Sequence, residues 1–353
     1  MKTKYFIGLF FFILLVGTSV EAFCREAEVK VENKEKFNAS TYILEHIADS
    51  HEWHILTKKD NSSVAIYLPV IVYSKEKGLN FFSSKRLAHS QEYKGFKLEE
   101  EGSLKGKIVI VNEAGIIDEK NLPLDLSMTK TVIGMMSAAI IGLLLFLSLA
   151  RSYKKTGISH PRGIQSFLEP VILFVRDDIA VPNLGHKSDK YMPYLLTAFF
   201  FILINNLMGL IPFPPPFGAN VTGNIAITFI LACCTFLITQ FGGNKSYWRH
   251  VFATPGVPVW LLPIMIPVEI IGLFSKPFAL MIRLFANITA GHIIVLSLIC
   301  LIFIFDSLSV APVSAIFVIF MDFMELLVAF LQAYIFTLLS ALFIGLAVQE
   351  EHH

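Results

Sequence analysis

WLLPIMIPVEIIGLFSKPFALMIRLFANITAGHIIVLSLICLIFIF, residues 260–305, is a run of forty-odd residues in which only Glu269, Lys276 and Arg283 carry a formal charge. About 20 helical residues at 1.5 Å each cross a hydrocarbon core of about 30 Å, whereas this run as a helix would extend roughly 60 Å. It reads as a membrane helix too long to stand upright. Residues 310–348 form a second apolar stretch of the same kind. Tilt, curvature or breaks must absorb the excess, and Pro263, Pro267 and Pro277 supply places to bend in the first stretch. Two long, slanted helices predict a surface that wraps around something.

The rest of the chain fits that frame. Of 353 residues, 54% are hydrophobic and 16% charged, the composition of a multi-span membrane protein. The apolar runs are too long for barrel strands, so the spans are helices. Thr131–Ala150 is a span, and Arg151, Lys154, Lys155 and Arg162 mark its cytoplasmic end. Residues 158–184 hold Pro161, Pro170, Arg176, Asp177 and Asp178, which predicts a re-entrant or interfacial helix that does not cross. Tyr194–Phe213 and Asn224–Phe241 are two further spans. The loop Pro212–Gly218 between them lacks Lys and Arg and belongs outside, while Lys245 and Arg249 return the chain to the cytoplasm. The fold class is therefore an all-α polytopic membrane protein of about five transmembrane helices, the last two long and strongly tilted. Its C-terminus, residues 350–353, lies in the cytoplasm. The net charge of +1 implies no strongly basic face, which argues against a nucleic-acid binder.

Ahead of the spans, Lys2 and Lys4 precede an apolar run, Tyr5–Val16, and then Val20-Glu-Ala22. Residues 1–22 read as a cleaved signal peptide; the alternative is an uncleaved first helix, for which about 12 apolar residues are short of the ~20 needed. Residues 23–128 are rich in Lys, Glu, Ser and Asn, with short β-like runs at Val64–Tyr73 and Lys107–Val111. They predict a small exported domain with β-structure, a structural cap or assembly contact, since no nucleophile and base set is visible in them. His46, His51 and His54 read as solvated side chains rather than metal ligands. Cys24, Cys233, Cys234 and Cys300 lack metal-ligand spacing and predict neither a zinc site nor a disulfide framework.

The chemistry concentrates in residues 260–305. A charge near mid-bilayer costs several kcal/mol, so intramembrane Glu269, Lys276, Arg283, Asn287 and His292 are functional candidates. At 100° per residue, Arg283 shares a face with Glu269 (about 40° away), Lys276 (about 20°) and Asn287 (about 40°). Gly272, Ala279, Ala286 and Ala290 lie on the same face, and such small residues let another helix approach closely. His292 stands roughly 13 Å beyond Arg283 along the axis, and Glu269 roughly 21 Å before it. The last stretch adds Asp322, Glu325 and Gln332, the latter two a heptad apart on one face. A polar path that stops at a fixed positive charge is the economical reading. Lys276 suits an interfacial, snorkelling role, and Asp322 is either an uptake-channel carboxylate or a helix-surface charge.

Three motifs carry a resemblance: Ser275-Lys-Pro-Phe-Ala-Leu-Met-Ile-Arg283-Leu-Phe-Ala-Asn287-Ile-Thr-Ala-Gly-His292, Asn205-Asn-Leu-Met-Gly-Leu-Ile-Pro212, and Leu331-Gln-Ala-Tyr-Ile-Phe-Thr-Leu-Leu-Ser340. Together they resemble the subunit a family of the rotary F-type ATP synthases, over about residues 129–353. The resemblance implies a membrane-embedded proton-channel domain at 129–353, with two offset half-channels meeting at a ring of c subunits that each carry a membrane carboxylate. It implies that Arg283 is the essential arginine, whose permanent charge attracts that carboxylate and blocks a direct proton leak. Gln332 and Asn287 then match positions near the arginine, where amides can hold the guanidinium, and Glu269 matches the cytoplasmic half-channel carboxylate. The implied partners are the c-ring, the peripheral stalk subunit b, other Fo and F1 subunits and membrane lipid, without a cofactor. The implied location is the bacterial cell inner membrane, with the N-terminal domain periplasmic.

This chain departs from the family at two places. Where many relatives carry Glu it has His292, and at their His position it has Glu325. An exchange of facing side chains keeps one carboxylate and one imidazole, enough for a relay near neutral pH; the alternative is a buried pair without a transport role. The exported residues 23–128 and the signal are also unusual for the family. No phosphate loop of the form G-x-x-x-x-G-K-[ST] occurs, so the resemblance implies an ion-channel subunit that is non-catalytic toward ATP. Two other classes compete. An intramembrane metal-dependent hydrolase would want ligands at helical spacing such as H-E-x-x-H, and a stand-alone secondary transporter would want an inverted repeat of broken spans; neither pattern is present.

Overall fold

The computed structural model describes residues 38–57, 63–88, 91–99, 102–111, 117, 121–156, 163–211, 214–252, 258–305 and 307–349. The expected signal at 1–22, Cys24, Pro161, Arg162, Pro212 and residues 350–353 lie outside them. The chain divides into two compact units. The first comprises residues 1–136, 208–219 and 292–323, the second 137–207, 220–291 and 324–353.

The first unit opens with helix α1, Ala39–Ile47, whose N-terminus is capped by Asn38: its side chain accepts from the Ser40 and Thr41 amides, which have no partner within the helix. Strands β1 (Glu52–Thr57) and β2 (Ser63–Tyr67) form an antiparallel pair. Strands β3 (Pro69–Ser74) and β4 (Gly78–Ser83) pair antiparallel, and with β7 (Leu124–Asp125) they form a sheet of order β4-β3-β7, while β5 (Phe96–Leu98) pairs with β6 (Ile108–Ile110). The apolar run expected at Val64–Tyr73 is thus two strands in different sheets, interrupted at Leu68. Val70 and Val72 alternate inward along β3 at 0% exposure and meet Phe82, Leu87, Phe96, Ile108 and Ile110 in one core.

Strand β7, Leu124–Asp125, leads directly into helix α2, Lys130–Thr156. The start of α2 is fastened to the end of α1 and the residues that follow it. Lys130 N donates to Ser50 O, Thr131 N donates to the Asp49 carboxylate, and Lys130 Nζ donates to His46 O. These bonds occupy two amides and two carbonyls that membrane lipid could not satisfy. Tyr42 and Ile43 of α1 pack on Leu296 and Cys300.

Five helical runs are long and apolar enough to cross a membrane among the described residues. After α2, helix α3 (Ile164–Phe174) continues through a wider turn at Val175–Ala180 into the single turn α4 (Val181–Leu184). A tight turn at Gly185–Lys187 separates this from α5, Ser188–Leu210, which starts six residues before the span expected at Tyr194. Helix α6, Ile225–Gly242, is capped by Asn224, whose side chain accepts from Ala226 N at 3.0 Å. The short α7, Lys245–Phe252, follows. Helix α8 runs unbroken from Leu262 to Ile304 and α9 from Ala311 to Val348. Pro263 sits in the first turn of α8, where its missing amide is no loss, and Pro267 and Pro277 are held within the continuous helix. At about 65 and 57 Å by the helical rise, these helices are left with tilt and curvature rather than breaks to absorb their excess length.

The second unit has one core. Leu168, Val175, Ile179, Leu195, Phe199, Ile202, Leu280, Leu284, Phe336 and Ile344 are its buried centre. Polar groups between helices are matched within it. Asn206 Nδ2 donates to Ala329 O at 3.1 Å and its Oδ1 accepts from Thr222 at 2.6 Å; Thr235 hydrogen-bonds Tyr194 at 2.6 Å and Ser340 at 3.1 Å. In hydrocarbon such bonds add to packing by small side chains. Gly345 shows how close that packing is: a Cβ there would land on the carbonyl oxygen of Asn183. The end of α9 is closed by Lys187 Nζ and Asn244 Nδ2, which donate to Val348 O at 2.8 and 2.7 Å.

Candidate functional site

Helix α8 presents two unlike faces within the second unit. Leu280, Met281 and Leu284 are buried at 2, 6 and 1% exposure, whereas Lys276, Ala279, Arg283, Ala286, Asn287 and Ala290 are exposed. The open stripe is the one on which the 100° rule places Arg283 among small residues. A Cβ added at Gly272, on the same stripe, would meet nothing within 4 Å. Arg283 forms neither an ion pair nor a hydrogen bond among the described residues. A guanidinium that cannot lose its charge therefore stands on an exposed stripe of small residues, where it is able to pair with an anionic group.

The remaining candidates of this unit are placed as follows. Asn287 lies one turn along from Arg283 on the open stripe. Gln332 is on the packed side of α9, 2% exposed, in a row with Ala333, Phe336, Thr337 and Ser340, all nearly or fully buried. Glu325 is half-buried and presses on α8 at Gly291. A Cβ on Gly291 would stand 2.7 Å from Glu325 Oε1 and 3.2 Å from its Cγ, so only glycine admits the carboxylate there. Glu269 Oε1 lies 3.3 Å from Nδ1 of His250 on α7. Sequence reasoning missed His250; nineteen residues separate the pair, and only its position on a short amphipathic helix between spans could have drawn attention to it.

His292 and Asp322 belong to the first unit, and both are half-buried. Nε2 of His292 lies 3.8 Å from where a Cβ on Gly209 would stand, an ordinary contact. In the amino-terminal region, His51 is 7% exposed and its Nε2 lies 2.9 Å from Asp125 Oδ2. Burial pushes the Asp125 carboxyl up, but hydrogen bonds from His51 and Ser127 outweigh it and hold the group below its ordinary value. This histidine is thus an internal fastening rather than a solvated side chain. Among the described residues, no three His, Cys, Asp or Glu side chains gather as a metal site.

Comparison with known proteins bears on both regions. The family model described as ATP synthase A chain matches residues 132–345, and a domain of unknown function, DUF8433, matches residues 42–128. ATP synthase subunit a of Chloroherpeton thalassium is 49% identical over 235 residues, covering 65% of this chain and 69% of the relative. Subunit a 2 of Chlorobaculum tepidum is 50% identical over 230 residues (63% and 64%), and subunit a of Myxococcus xanthus 47% over 237 (65% and 76%). The three motifs, the five long helices with their open arginine stripe, and the family match over residues 132–345 agree with these relatives: the chain belongs to the ATP synthase A chain family, as a subunit a of the F-type enzyme.

Proposed function

We propose that the proton-translocating role of this chain in the Fo stator is carried by the open stripe of α8, with Arg283 as the fixed charge between two half-channels. One observation supports this above the others: Arg283 is exposed among alanines and has no partner among the described residues, although a lone intramembrane charge costs several kcal/mol. The partner that would repay that cost is a ring of c subunits, each bringing a carboxylate. Attraction draws the deprotonated carboxylate past Arg283, and the guanidinium, which cannot give up a proton, keeps the two half-channels from joining. Protons then cross only by riding the ring.

On this reading His292, Glu325 and Asp322 serve the half-channel opposite the cytoplasm and Glu269 the cytoplasmic one. Asn287 and Gln332 tune the arginine's surroundings. The subunit moves protons and leaves ATP chemistry to other subunits of the complex, with subunit b of the peripheral stalk as a further contact. Its membrane is the bacterial inner membrane. The signal at 1–22 would export residues 23–128 to the periplasm as a cap on the spans, and the C-terminus would remain in the cytoplasm.

Cysteines test the ring-facing assignment. With a cysteine near the ring's carboxylate, Ala286→Cys and Ala279→Cys should form disulfides to subunit c under mild oxidation, whereas Ala341→Cys, fully buried within this chain, should not. Cross-linking equal at all three positions, or absent from the first two in assembled complex, would contradict the assignment.

A further inference from the structure

Helix α7 carries Tyr247, Trp248 and Phe252, with Trp248 and Phe252 exposed. Aromatic side chains of this kind sit at the membrane–water boundary. His250 of this helix is 55% exposed and touches Glu269, itself 32% exposed, at 3.3 Å. The imidazole therefore meets water on one side and an intramembrane carboxylate on the other. We propose that His250 is the proton-transfer residue at the cytoplasmic mouth of the path, passing protons between Glu269 and bulk water. The proposal rests on the reading of Glu269 as the cytoplasmic half-channel carboxylate.

The need for such a residue follows from supply. At neutral pH hydronium is near 10⁻⁷ M, so diffusional capture by one carboxylate is limited to on the order of 10³ per second. An imidazole has a ring nitrogen that accepts protons from buffers and a second that hands them on. During ATP-driven pumping the water-facing ring nitrogen takes a proton, giving an imidazolium. The Nδ1–H bond then breaks as the proton moves to Glu269 Oε1, leaving a neutral ring and a neutral carboxyl. Once Glu269 passes the proton inward, the ring, now bare at Nδ1 and protonated at Nε2, turns over to bring Nδ1 to water, takes the next proton there and turns back to Glu269. Synthesis runs the same steps backwards.

The neighbours leave this task to His250. Tyr247, on the same helix, hydrogen-bonds Gln240 at 3.1 Å, and burial pushes its phenol up, with the charge of Glu269 adding to the rise. It keeps its proton at cytoplasmic pH. Lys276 lines a pocket with Tyr247, Gln240 and Thr239, its ammonium 5.8 Å over the Phe343 ring. Lys245 and Arg249 are the other charges of α7.

The test is ATP-driven proton pumping by inverted membrane vesicles, whose outer solution is the cytoplasmic side, normalised to assembled complex. His250→Gln and His250→Ala should pump about tenfold more slowly in weak buffer at pH 8, with the deficit shrinking toward pH 6. Millimolar imidazole should bring both to within about twofold of native. Native rates across the pH range would overturn the proposal, as would a loss that neither acid nor imidazole relieves, since that marks a structural contact. Glu269→Gln run in parallel separates the layers: if it pumps normally, the reading of Glu269 fails, whereas its loss of pumping beside unaffected His250 variants sinks this proposal alone.

Discussion

Replacing Gly291 with alanine should cripple proton transport while leaving the complex assembled. The added Cβ would stand 2.7 Å from Glu325 Oε1 and 3.1 Å from its Cδ, so the carboxylate must retreat by roughly 0.7 Å to reach ordinary contact. The obstacle is the end of a flexible side chain. Rotating it away costs about 1 kcal/mol, the scale of a modest off-rotamer shift, too little to unfold a long packed helix. Proton transfer is far less forgiving, because an error near 1 Å in a reacting group costs about a hundredfold. ATP-driven pumping in inverted vesicles, normalised to subunit content, should therefore fall about 10- to 100-fold. Shortening the carboxylate should recover part of it, so Gly291→Ala with Glu325→Asp should outperform Gly291→Ala alone. Gly209→Ala is the control, since its Cβ would meet Ala219 O at 3.5 Å and His292 Nε2 at 3.8 Å, both ordinary contacts. Native pumping by Gly291→Ala would refute the idea that the placement of Glu325 matters.

Gly345→Ala should behave in the opposite way, because its Cβ would meet a backbone carbonyl that cannot swing aside; we expect a cost of about 3 kcal/mol, read as loss of the subunit from membranes. The double exchange His292→Glu with Glu325→His should recover more pumping than either change alone, and equal activity in all three variants would exclude a shared relay. In the amino-terminal region, His51→Ala should cost about 1.5–3 kcal/mol through the bond lost to Asp125, measured as the thermal transition of Trp53 fluorescence with Trp248 and Trp260 replaced by Phe. Because the folded-state value of Asp125 lies below its unfolded one, its contribution is complete above the ordinary carboxylate range and is lost as pH falls through the depressed value. Asp125→Asn should flatten that acid limb, and an unchanged limb would mean that other groups set it.

The spans were legible because apolar runs and helix bounds have one cause. Asn224–Phe241 became Ile225–Gly242, and residues 310–348 became Ala311–Val348. Helix α2 outruns its apolar stretch, since charged residues at a membrane surface continue a helix at little cost. The amino-terminal region was less readable: alternation along Val64–Tyr73 identifies strands, but nothing local tells that Leu68 divides two sheets. The arginine stripe was visible as a periodicity. The contacts that bear on chemistry between helices were not, since the approach of Glu325 to Gly291 and of His250 to Glu269 depends on how separate elements pack. The motif at 205–212 resembled the family without revealing its physical reason. In the fold, Asn206 of that motif hydrogen-bonds Thr222 and Ala329.

The role of Arg283 is tested most directly by ATP-driven pumping in inverted vesicles carrying Arg283→Ala at matched assembly. The account predicts no pumping while the complex remains intact, because without the fixed charge nothing separates the half-channels or draws the ring carboxylate past. Pumping at the native rate would contradict it and make the arginine a structural residue.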